Sequence, residues 1–174
     1  MLSKLSLNLN RIAEGICLAL MVIMTGVTFA QVFFRFVIVH SLPWSEECSR
    51  YCLVWASFLG ASIALKRGLH MGVEAFVAKL PKEKKEVIYS TTLIIILIFL
   101  LVVIIKGVEL ATFNLRQSSP AMRIPMGLPY LAVPVGSLLM FIHLLDEWMM
   151  GWKQKGRLTG MRKAEGEKRM EAGF

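Results

Sequence analysis

The sequence predicts an all-α integral membrane protein: four transmembrane helices, short interfacial amphipathic helices, and both termini on the cytoplasmic side. Three observations carry that prediction. Of 174 residues, 56% are hydrophobic and the mean hydropathy is +0.61, too apolar for an ordinary soluble domain. Four apolar runs, at about 12–37, 44–65, 87–110 and 129–150, are each long enough to cross a bilayer. The basic residues gather outside those runs, with two before the first span, six between 66 and 85, and seven after 152. That puts 15 of the 20 Lys and Arg residues on one side of the membrane and makes that side cytoplasmic. The same distribution reads the net charge of +8 as a topology signal with phospholipid contact at the rims, and not as a nucleic-acid surface.

Residues 1–11 form an N-terminal interfacial segment. Leu2, Leu5, Leu9 and Ile12 recur at helical spacing, with Lys4 and Arg11 facing headgroups. Residues 12–152 make one membrane domain with no internal repeat, and 153–174 a basic cytoplasmic tail. Span one is apolar until Gln31 and Arg35, four apart on one face near its far end. It is too long for a signal-peptide core and lacks an evident cleavage site, so it reads as a retained anchor.

A turn, His40-Ser41-Leu42-Pro43, leads to the stretch that organises the rest, Trp44 to Glu74. Its charge-free part, Tyr51 to Leu65, covers only about 22 Å at 1.5 Å per residue. The spanning helix must therefore include Glu46, Glu47 and Arg50 at one membrane face, where unpaired charge is costly. Arg35, Glu46, Glu47 and Arg50 are expected to form a neutral structural cluster tying the first two helices. Ala56, Gly60 and Ala64, at intervals of four, make a smooth ridge for close helix packing, inside the chain or against a partner.

Beyond Lys66 and Arg67, residues 69–80 follow an amphipathic stripe ended by Pro81, an interfacial helix. Span three has no polar face and is the best candidate for lipid exposure; Lys106 and Glu109 near its end read as a local ion pair. The connector Arg116 to Leu128, with Pro120, Pro125 and Gly127, reads as an ordered outer loop without helix. In span four, Pro129 suits the first turn, and Pro134 either falls in that turn or kinks the helix. Trp148 and Trp152 fit an aromatic belt at its exit.

The sequence carries no enzyme signature: no phosphate-cradling Gly loop, no H-E-x-x-H and no nucleophile elbow. No cofactor or metal is expected. Cys17, Cys48 and Cys52 have neither disulfide nor metal-ligand spacing, and a bis-histidine haem lacks a second histidine at the depth of His143. No acid stands unpaired at mid-membrane and no inverted repeat is present, which argues against ion-coupled transport by this chain alone.

Six motifs in fixed order then carry a resemblance. They are Q-V-x-x-R at Gln31–Arg35, P-W-S-E-E at Pro43–Glu47, F-L-G-A at Phe58–Ala61, and H-M-G-V-E at His70–Glu74. S-P-A-M-R-I-P at Ser119–Pro125 and Y-L-A-V-P-V-G at Tyr130–Gly136 complete the set. Over roughly residues 10–150 the chain resembles the small, DctQ-type membrane subunit of tripartite ATP-independent periplasmic (TRAP) transporters. The resemblance implies a bacterial inner-membrane location and a large permease subunit in trans that carries substrate and sodium sites and moves as an elevator. It also implies a periplasmic binding protein that delivers an organic acid, while the small subunit braces the immobile scaffold. On this reading His70 and Glu74 belong to an interface motif. Pro120, Pro125, Tyr130, Pro134 and Gly136 shape the outer loop and the start of the fourth helix. Two other classes remain open from the residues: an autonomous four-helix exporter acting as a homo-oligomer, and a membrane electron-transfer or assembly subunit.

Overall fold

The computed structural model describes residues 2–77 and 82–149, with side chains described for 3–68, 88 and 90–149. Four long apolar helices account for nearly all of them, and no strand longer than a single bridge occurs among the described residues. Helix α1 is Leu2–Phe36, α2 Pro43–Val77 and α3 Lys82–Phe113, which tightens into a 3-10 turn at Asn114–Arg116. The fourth apolar helix, α4, spans Gly127–Met149. Its opening turn, Gly127–Tyr130, is set off from the remainder at Leu131. Pro134 explains the interruption, because it has no N–H to give to the Tyr130 carbonyl. The helix resumes with Val135 donating to the Leu131 carbonyl at 3.1 Å. Pro134 thus sits in the first turn of the longer stretch, where a missing donor costs nothing.

Two boundaries differ from the sequence reading. Residues 2–11 are continuous with the first span, and the segment after Arg67 continues α2 without a break as far as Val77. Neither stretch contains a proline to interrupt the backbone ladder, so a change in side-chain polarity alone does not end the helix. At 35 residues each, α1 and α2 are about 52 Å long. Both exceed the roughly 30 Å hydrocarbon core. The connector between α3 and α4 also contains more helix than expected, since α4 starts at Gly127 and the 3-10 turn reaches Arg116.

α1 and α2 lie antiparallel, matched by Thr28 with Ser49 at one end and Cys17 with the Ala56 carbonyl further along. α4 runs parallel to α2 and antiparallel to α3. Leu65 of α2, Leu93, Ile96, Leu97 and Leu100 of α3, and Met140, Phe141 and Leu144 of α4 form the core. The connectors α1–α2 and α3–α4 therefore share one end of the bundle, the loop end, while Leu2 and Met149 share the terminal end. Hydroxyls inside the spans are satisfied locally: Thr25, Thr28, Ser57 and Ser62 each donate to a carbonyl three or four residues back.

Glycines mark the closest approaches. A Cβ on Gly136 would stand 2.7 Å from the Cβ of Phe58, and one on Gly127 would stand 2.5 Å from the Ala111 carbonyl oxygen. A Cβ on Gly60, at the centre of the expected ridge, would meet nothing within 4 Å, so no other helix of the chain closes on that position. Coverage of the spans is uneven. None of the most apolar part of α1 is buried, against 17% for α3 and 39% for α4. The barest apolar stretch thus lies in α1 rather than α3.

Candidate functional site

The loop end is built around Glu47. Pro43 begins α2 with its fixed φ in the first turn, which places Glu46 and Glu47 where the exposed N–H groups of a helix favour negative charge. The turn before it is tight. Val39 takes a left-handed φ of 57°, and the His40 N–H reaches back to the Phe34 carbonyl at 3.1 Å.

Opposite Glu47 lies the Pro-rich loop. The Ser119 N–H donates to the Ile124 carbonyl at 2.8 Å, the Met126 N–H to the Gln117 carbonyl at 2.8 Å, and the Arg123 N–H to the Ser119 carbonyl at 3.2 Å. Those bonds close the loop, and Arg123 adopts a φ of 54° to complete it. Inside the turn, Pro120 has no N–H, and the next two amides, Ala121 and Met122, are left free as at the start of any helical turn. Both donate to the Glu47 carboxylate, at 3.0 and 2.9 Å. The loop is thus a backbone cradle closed on a side chain of α2. Tyr51, one turn further along α2, donates its hydroxyl to Met126 Sδ at 3.3 Å.

This differs from the expected cluster of mutually paired charges. Arg50 contributes its charge near Glu47 without a hydrogen bond to it, and Arg35 sits over the Phe36 ring at 6.0 Å. Glu46 accepts a long bond, 3.5 Å, from Gln31 Nε2. Gln31, Arg35, Ser41, Leu42, Pro43 and Glu46 together line a polar cleft of about 210 Å³. Glu47 has gone to the backbone because the amides offer two convergent donors at fixed geometry, whereas an arginine must be held by its own flexible stem.

The terminal end is tied by side chains. Lys66 Nζ donates to Asp146 Oδ2 at 2.9 Å, joining α2 to α4, with the Asp146 side chain only 3% exposed. Arg67 donates through Nε and Nη2 to Glu14 Oε1 of α1, at 3.2 and 2.7 Å. Asn10 Nδ2 donates to the same oxygen at 2.6 Å. His143 of α4 is fully buried, and its Nδ1 lies 2.9 Å from Ser6 Oγ of α1. Three helices therefore meet in one polar network. The sequence reading singled out none of Ser6, Asn10 and Glu14, although their spacing of four, a polar row along an otherwise apolar helix, is a legible signal. Lys106 and Glu109 form the expected local pair at 2.7 Å, exposed on both sides.

The remaining expected residues are placed as follows. Pro125 pairs with Ser118 in an isolated bridge, and its carbonyl accepts the Leu128 N–H at 3.1 Å. Tyr130 ends the opening turn of α4, and Gly136 admits Phe58. Ala56 and Gly60 are half-buried and Ala64 is exposed. His70 and Glu74 lie on α2, but their side chains fall outside the described residues, as do Trp152 and the tail 153–174. Among the described residues no three His, Cys, Asp or Glu side chains converge as metal ligands would. What both ends can do is fix helices against one another.

Comparison with known proteins adds the following. The family described as "Tripartite ATP-independent periplasmic transporters, DctQ component" matches residues 24–154. A Haemophilus influenzae protein named among the TRAP transporter small permeases is 28% identical over 146 residues, covering 83% of this chain and 90% of that one. The C4-dicarboxylate TRAP transporter small permease protein DctQ of Rhodobacter capsulatus is 28% identical over 120 residues, 68% of this chain and 52% of that protein. The isethionate TRAP transporter permease protein DctMQ of Oleidesulfovibrio alaskensis is 26% identical over 106 residues, 60% of this chain and 17% of that far longer one.

Proposed function

The chain belongs to the family of DctQ components of tripartite ATP-independent periplasmic transporters, and from that premise we propose that it braces a large permease subunit held in trans. It is a multi-pass membrane protein of the TRAP small permease family, a family whose small subunits partner large ones. The substrate named differs among its relatives, from C4-dicarboxylate to isethionate. On our reading this chain serves sodium-coupled, binding-protein-dependent uptake of an organic acid in the bacterial inner membrane, with both termini cytoplasmic.

One observation carries the bracing role. Polar side chains tie the chain's own helices at both ends, while no residue in the most apolar part of α1 is fully buried and a Cβ on Gly60, the centre of the Ala56–Gly60–Ala64 ridge, would meet nothing within 4 Å. Lipid covers apolar surface as well as protein does, but a small-residue ridge gains its advantage only when another backbone approaches. The ridge is therefore assigned to the large subunit and the rest of the bare surface to phospholipid. The Pro-rich loop, held on Glu47, and the Trp44 end form the surface offered to the periplasmic binding protein.

A tagged chain purified in mild detergent with its neighbouring membrane proteins tests this reading. Co-purification of a large permease of about twelve spans is the expected result. Recovery of the chain alone as a homo-oligomer that transports by itself, or with a haem spectrum, would replace it. Thiol labelling adds the orientation: Ser118→Cys, exposed beside the buried Ser119, should react from the periplasm and Lys84→Cys from the cytoplasm.

A further inference from the structure

Two buried polar atoms at the terminal end have no hydrogen-bond partner among the described residues, the Nε2 of His143 and the Oδ1 of Asn10. His143 is fully buried and Asn10 is 8% exposed. Neither atom is free to turn away from its position. Asn10 is oriented by its other terminus, since Nδ2 is held 2.6 Å from the Glu14 carboxylate, and exchanging N and O would set two acceptors face to face. His143 is oriented by Ser6, which lies 2.9 Å from Nδ1 and leaves Nε2 as the remaining polar atom of the ring. Ser6 and Asn10 stand one turn apart on the same face of α1, the face that meets α4 at His143. Both atoms therefore belong to one seam.

We propose that this seam between α1 and α4 holds an internal hydration site, occupied by at least one ordered water bonded to His143 Nε2 and Asn10 Oδ1. A buried donor or acceptor left unsatisfied is destabilising, and buried waters are the usual remedy where two or more polar atoms converge. Water also suits either tautomer of His143. If Ser6 donates to Nδ1, Nε2–H donates to the water, which donates one of its own O–H groups to Asn10 Oδ1. If Nδ1 donates to Ser6, the water donates to both acceptors. A direct His143–Asn10 bond would serve only the first case. Around the seam, Lys66 is paired with Asp146, and Glu14 with Arg67 and Asn10.

The test is solid-state NMR of the full chain, labelled with 15N-histidine, in lipid bilayers, with dipolar polarisation transferred from water. The His143 signal is assigned by its absence in His143→Gln. A water contact at His143 Nε2 is expected, and Asn10→Leu, which removes the second anchor, should abolish it. Absence of water transfer to His143 in the wild-type chain overturns the proposal whether or not the variant folds. A contact that persists unchanged in Asn10→Leu overturns it as well, as does a direct Nε2-to-Asn10 carbonyl contact.

Discussion

The two ends of the bundle hold their helices by different chemistry. At the terminal end, side chains bond to side chains: Lys66 with Asp146, Arg67 with Glu14, Ser6 with His143. At the loop end, one carboxylate, Glu47, is received by two backbone amides, and the nearby arginines are left outside the bond. A side-chain pair needs two residues whose identities match, so either can be removed by one substitution. The amide donors depend on the fold of the loop, so only Glu47 and the Ser119 hydroxyl beside it can be removed by substitution. The terminal network is therefore rigid but mutable, and the loop end is specified from one side only.

Four experiments break or sharpen that contrast. The largest effect is expected at Lys66 and Asp146, because removing one partner strands a charge that is nearly out of solvent. Lys66→Ala or Asp146→Ala should each destabilise the protein by about 3–5 kcal/mol, read as a fall in thermal unfolding temperature in detergent. The double variant Lys66→Met/Asp146→Leu should recover most of the loss. Equal loss in the double variant would mean that the pair itself, and not the stranded charge, matters.

Next comes Glu47. Replacing it by Ala leaves two amides without their acceptor and should lower the thermal unfolding temperature, by less than the loss of Lys66 or Asp146 does. Proteolysis within 117–126 should rise with it. Arg50→Ala should change little, and the exchange Glu47→Arg/Arg50→Glu should fail to rescue, because Glu47 is bonded by loop amides and the Ser119 hydroxyl and not by Arg50. A rescue by that exchange would restore the picture of mutually paired charges.

The third comparison sets Gly136 against Gly60. Gly136→Val forces side-chain atoms onto Phe58 and should cost about 1–3 kcal/mol in the isolated chain. Gly60→Leu should leave that stability unchanged, since nothing lies within 4 Å, yet lower recovery of the large subunit. If Gly60→Leu affects neither, the ridge is not an interface. The smallest effect belongs to Glu14 and Arg67. That pair is 32% and 68% exposed, and Arg67→Ala should cost only about 0.2–1 kcal/mol, detectable by a double-mutant cycle with Glu14→Ala.

Much of this architecture is legible in the residues. The number of spans follows from the length of apolar runs, since a bilayer core demands about 20 such residues per helix. The helix starts at Pro43 and the interruption at Leu131 follow from where proline lacks its N–H. The family follows from six short motifs in order, now matched over residues 24–154. Helix ends drawn at changes of polarity were less secure. Residues 2–11 and those after Arg67 became more polar without any backbone reason to stop, and both helices continued.

What the tertiary structure alone decided is partner choice. Sequence spacing on one helix shows which side chains share a face, and on that basis Arg35, Glu46, Glu47 and Arg50 looked like a set. It does not show that a loop 74 residues away would present Ala121 N–H to Glu47, because amides are present at nearly every position and leave no mark in the sequence. The row Ser6, Asn10 and Glu14 was visible, but its partners on α2 and α4 were fixed only when three helices came together. Local periodicity is a property of one segment; a hydrogen bond between segments depends on where the rest of the chain places its donors.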